Sequence, residues 1–69
     1  MPKEVVIKQA IAENFSVWIT TKKRGEQKVL PLRIERSALV CDVLQVSHIG
    51  DGQGRQTIPL AEIQSVRRA

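Results

Sequence analysis

The residues best suited to chemistry in this chain are basic. Lys22, Lys23, Arg24 and Lys28 crowd one short stretch with only Glu26 to offset them, and Arg33, Arg36 and Arg55 extend the set. Phosphate binding needs several cations converging on one surface, because each neutralised phosphate releases condensed counterions. Arginine adds a two-pronged hydrogen-bond geometry. The competing reading is a solvated hairpin tip whose charges aid solubility and discourage edge-to-edge pairing. Trp18 is the second candidate. It falls on the non-core parity of its segment, where it could stack a base. Its alternative is packing under a helix or at a subunit contact. Phe15 is the only other aromatic, and it falls on the core parity.

For catalysis nothing assembles, and no catalytic residue is expected. His48 lies near Ser47 and Asp51, but sequence neighbours rarely form a triad and no nucleophile elbow is present. The run Gly50-Asp51-Gly52-Gln53-Gly54-Arg55 lacks the spacing and the Lys-Ser/Thr pair of a phosphate loop, so it reads as a hairpin loop. Asp42, in an apolar strand, reads as an outward-pointing carboxylate or the mark of a bulge, with a perturbed carboxylate as the alternative. Cys41 reads as a small buried hydrophobe, and Arg67-Arg68 as a frayed tail or a nonspecific phosphate contact. One histidine and one cysteine fall short of a zinc site, so no metal and no cofactor is expected.

With 69 residues the chain holds one domain at most, spanning 1–69. A chain this short buries only about 60% of the surface its unfolded form exposes, so its stability is marginal. A lone cysteine rules out an intramolecular disulfide and fits a reducing, cytoplasmic setting. Support is then expected from a homo-oligomer or from a larger regulator carrying this domain. The net charge of +4 favours anionic partners, with nucleic acid or a nucleotide first. The start of the chain is amphipathic and unlike a signal peptide. No stretch approaches the roughly 20 apolar residues of a membrane span, so no membrane partner is expected.

The elements that must position these residues follow from hydrophobic periodicity. Val6, Ile7, Ala10 and Ile11 make one apolar stripe, which predicts a helix over about 4–13 ending at Asn14. Residues 15–22 alternate, with Phe15, Val17, Ile19 and Thr21 on the core parity and Trp18 on the other. A tight turn at Arg24-Gly25-Glu26 leads to a second strand over 27–35. There Leu30, Leu32 and Ile34 are expected to form a wall of the core, opposite Val29, Pro31 and Arg33. Pro31 cannot donate to a ladder, so it marks an edge or a bulge.

Arg36-Ser37 reads as a turn, and 38–48 as a third strand. In that strand the apolar parity switches from Leu39, Cys41 and Val43 to Leu44 and Val46, which predicts a second bulge or a sharp bend. Short strands over 55–59 and 64–67 follow, joined by one helical turn from Pro59 to Ile63. The expected fold class is mainly β with one N-terminal α-helix, built as a small, strongly curled five-stranded barrel of the SH3-like or Sm-like type. A helix packed on an open antiparallel sheet is the alternative.

This order of signals resembles the WYL domain, a small Sm-like barrel of bacterial regulators. The shared skeleton is Ala10-Ile11 in the helix, Val17 and Ile19 in the first strand, and a polar turn holding Gly25. Val29, Pro31 and Ile34 follow, then Ile58, Leu60, Ile63 and Val66. The resemblance spans about Val5 to Val66. The Trp-Tyr-Leu tripeptide that names the family is missing, Thr21 stands where an aromatic is usual, and Arg55 lies one residue further from Ile58 than the usual spacing.

The resemblance implies a noncatalytic module that binds nucleic acid or a nucleotide in a bacterial regulatory context. Lys22, Lys23, Arg24, Lys28, Arg33 and Arg55 would supply charge and Trp18 a stacking surface. The alternative function is a protein-interaction or oligomerisation module with no nucleic-acid ligand.

Overall fold

The computed structural model describes residues 2–46 and 54–69. Most of the glycine-rich loop (Gly50, Asp51, Gly52 and Gln53), together with Ser47, His48 and the expected end of the third strand, lies outside the described residues. The elements are α1 (Lys3–Glu13), β1 (Val17–Thr21), β2 (Gly25–Glu35), β3 (Ala38–Val46), β4 (Gly54–Pro59), a 3-10 turn η1 (Leu60–Glu62) and β5 (Ile63–Arg68).

Helix α1 ends where the side chains say it should. Asn14 takes the left-handed conformation at φ 58, which a short polar side chain tolerates, and the Phe15 N–H donates to the Ala10 carbonyl at 3.2 Å. The apolar stripe docks as expected: Ile7 and Ala10 are fully buried, with Val6 and Ile11 packed against the same cluster. Glu4 in the first turn complements the positive end of the helix dipole. Lys3 reaches across to donate from Nζ to the Ile63 carbonyl at 2.5 Å, tying the helix start to β5.

The five strands form one antiparallel sheet in the order β4-β3-β2-β1-β5. Among the described residues no ladder joins β4 to β5, so backbone pairing leaves the sheet open with those two strands at its edges. Both expected bulges are present. The β2–β3 register shifts beside Pro31, between Pro31 and Arg33, and again between Lys28 and Val29, where Leu44 is the extra residue on β3. Pro31 sits in a central strand, but the β1 ladder ends at Val17↔Val29, so only β3 flanks β2 at that point.

The core face differs from expectation along β2. Gln27, Val29 and Pro31 are buried, whereas Leu30 and Leu32 are half-buried on the other parity. The ladder decides this: Val17 and Ile19 of β1 are fully buried and stand opposite Val29 and Gln27, so those two must share the core face. Only beyond the bulge does the parity reverse and let Ile34 pack on the core. Leu39, Cys41, Val43, Ile58, Leu60 and Ile63 complete the cluster.

Candidate nucleic-acid interface

Helix α1 covers the core side of the sheet, and Trp18 lies on the opposite, outer side. Its register partners are Lys28 on β2 and Arg67 on β5, which therefore flank it on the same face. The Arg67 guanidinium carbon sits 5.7 Å from the centre of the Trp18 ring, within the range of a cation–π contact. Because Ile7 and Ala10 of the helix pack with Val17 and Ile19 on the other face, the alternative in which Trp18 packs beneath the helix is excluded.

Register extends this face across the sheet. Lys28 stands opposite Gln45, Leu30 opposite Asp42, and Asp42 opposite Arg55. Arg33 pairs in register with Val40, two positions from Asp42 along β3, and so falls on the same side. The sheet thus brings together Trp18, Lys28, Arg33 and Arg55, which are far apart in the chain. It also adds Arg67. That residue is no frayed tail, because it lies within β5 and its ladder to β1 runs on to Arg68. The guanidinium of Arg68 stacks 4.1 Å from the centre of the Phe15 ring instead.

The hairpin tip does not join this face. Lys22, Lys23 and Arg24 are exposed in the β1–β2 turn, which reaches toward β4 and η1. Arg24 donates from Nη1 to Gln56 Oε1, and Gln56 shares a face with the buried Cys41. Lys23 lies 3.8 Å from Glu62. The Arg24 N–H donates to Thr21 Oγ1 at 3.1 Å, which fixes the bend of the tip. Lys23, Arg24, Glu62, Thr57, Ile58 and Pro59 are among the residues lining a cleft of about 160 Å³. The basic set read from the sequence therefore divides into a tip group, held beside Gln56 and Glu62, and a sheet-face group.

Electrostatics on the outer face are more balanced than the sequence suggests. Arg67 Nη2 donates to Glu26 Oε2 at 3.1 Å, Arg55 Nε to Asp42 Oδ1 at 3.2 Å, and Arg33 Nε lies 3.3 Å from Glu35 Oε2. All three pairs are substantially exposed, and exposed pairs hold weakly, at about 0–1 kcal/mol. Lys28 has no ion pair among the described residues. Register, not spacing, brings Asp42 to Arg55 and Glu26 to Arg67, so the sequence could not reveal those two partners; Glu35 lies two residues from Arg33 on the same strand and shares its face by alternation. Alternation from Val66 was the available signal for Arg67, because the irregularity between Ile63 and Ser65 breaks the period that starts at Ile63.

Two buried groups behind the face matter less for binding. Cys41 is fully buried, and its thiol is pushed up to about 11, chiefly by burial and then by neighbouring Asp42, with Arg24 pulling the other way. Gln27 is also fully buried, with neither Nε2 nor Oε1 hydrogen-bonded among the described residues. Among the described residues no group of three or more His, Cys, Asp or Glu could hold a metal ion, and no helix is long and apolar enough to cross a membrane.

No protein-family model matches the chain, and no curated protein or solved structure matches it at a significant level.

Proposed function

We propose that this chain is a noncatalytic binding module that takes nucleic acid or a nucleotide on the outer face of its sheet. One observation carries the reading: Trp18, on the face that the helix leaves uncovered, is flanked in register by Lys28 and Arg67. A planar ring between two cations offers a base a stacking surface and its neighbouring phosphates a counter-charge. Arg33 and Arg55 extend the charge along the same face. Lys22, Lys23 and Arg24 belong to a separate tip and serve at most as a second contact.

A bacterial, cytoplasmic regulatory setting is the one implied by the WYL resemblance, and it forms part of this proposal. So does the SH3-like or Sm-like reading of the sheet. Strands β4 and β5 occupy opposite edges, yet η1 between them is three residues long. A flat five-stranded sheet would separate its edges by about 19 Å, whereas three residues of 3-10 helix advance about 6 Å. That mismatch supports a sheet curving toward a barrel.

The test is an NMR titration of the full chain with a short oligonucleotide and with a mononucleotide. Shifts gathering on Trp18, Lys28, Arg55 and Arg67 are the expected result. Shifts confined to helix α1, or none at all, would overturn the proposal. A second reading, an oligomerisation or protein-interaction module, draws on the outer edges of β4 and β5, which are unpaired among the described residues and can accept another strand. Sedimentation separates the two: a dimer or ring that binds no oligonucleotide favours the second.

A further inference from the structure

We propose that the Arg67–Glu26 ion pair is a strap lying across Trp18, and that a base of single-stranded nucleic acid binds by taking the place of its guanidinium. The inference rests on the sheet-face reading above and specifies how that site opens. Strands β2 and β5 flank β1 on either side, so Glu26 and Arg67 are about two strand spacings apart, roughly 9.6 Å. They close that span at 3.1 Å between Oε2 and Nη2. Arg67 stands opposite Trp18 and Glu26 opposite Thr20, so the pair runs diagonally over β1 with the guanidinium against the indole.

A guanidinium is flat, and over an aromatic ring it occupies the position a stacked base would need. Both partners of the strap are exposed, at 64% and 42% of their side-chain surface, so the pair yields readily to a competing phosphate. When a base stacks on Trp18, the released Arg67 turns to a phosphate of the same strand and forms a charge-assisted hydrogen bond there. Lys28, on the other side of the ring, needs no release because it has no ion pair among the described residues. The ligand class follows from the surface. Bases inside a duplex are stacked on one another and offer no free face, whereas an unpaired strand can splay a base onto a lone aromatic.

The experiment uses the full chain, a six-nucleotide oligothymidylate and the emission of Trp18, the only tryptophan. Glu26→Gln cuts the strap, while Glu35→Gln removes an equal charge from the same face without touching Trp18. The expected result is quenching on binding, an affinity three- to tenfold higher for E26Q, less than a twofold gain for E35Q, and altered emission of free E26Q alone. Equal gains from the two variants would overturn the strap while leaving the sheet-face reading intact. Binding without quenching, or equal affinity for a duplex, would overturn the base seat. Absence of binding by all three proteins would remove the sheet-face reading itself.

Discussion

Gln27 is the residue whose chemistry least fits its place. Its amide is fully buried on the core face between the β1 and β3 strands, with both polar atoms lacking partners among the described residues. Leaving a buried polar group unpaired costs about 1–3 kcal/mol. Replacing it with methionine, which has similar length and volume, should therefore raise unfolding stability by about 1–2 kcal/mol in urea denaturation. A loss of stability would mean that the amide is satisfied in solution. Cys41 makes a second residue-scale prediction. Its folded thiol is raised from the ordinary 9.0 to about 11, so the fold prefers the protonated form. Below pH 9 both states hold the proton and nothing is lost. Between pH 9 and 11 only the unfolded state releases it, so stability falls by about 2–3 kcal/mol. Measured against Cys41→Ala across that window, wild type should lose the extra amount, and parallel curves would contradict the burial.

At the scale of elements, the β2–β3 hairpin is the most improvable part of the sheet. Its two linking residues, Arg36 and Ser37, adopt φ 49 and φ 61, the left-handed pair of a type I′ turn. Side chains with a Cβ pay for that conformation, and Asn-Gly is the pair that suits it. Converting Arg36-Ser37 to Asn-Gly should add about 1 kcal/mol, or about 4–8 °C in Tm for a domain this size; an unchanged Tm would show that the turn carries no strain. The same strand shows what the sequence can and cannot reveal. Helix α1, the alternation of β1 and both bulges were legible because each leaves a local mark: a stripe, a parity switch or a proline. The core face of β2 was not legible, since Val29 and Pro31 on one parity are as apolar as Leu30 and Leu32 on the other. Only the ladder to Val17 and Ile19 chooses between them. The candidate site divides likewise. Trp18 could be assigned to the outer face by alternation, but Lys28 shares the parity of Leu30 and Leu32, so only the ladder places it beside Trp18. The lean of the hairpin tip toward Gln56 and Glu62 is likewise a tertiary fact with no local signature.

For the whole molecule, the question is how much of the chain's charge is free to meet a ligand. The net charge is +4, yet the outer face carries Lys28, Arg33, Arg55 and Arg67 against Glu26, Glu35 and Asp42, each of which holds one arginine. If those pairs stayed intact under a bound strand, only Lys28 would release counterions, and log K would fall with log salt at a slope near −0.7. If phosphates displace the carboxylates, four contacts give a slope of about −3, or about a fiftyfold loss of affinity between 50 and 200 mM salt. The weakness of exposed ion pairs favours the second case. Titrating an oligonucleotide at several salt concentrations should therefore give the steep slope. Lys28→Ala should then reduce it by about 0.7 without altering the stacking signal of Trp18. A slope near zero would show that phosphates are not what this surface meets. The edges of β4 and β5, unpaired among the described residues, would then be the feature left to explain what the chain binds.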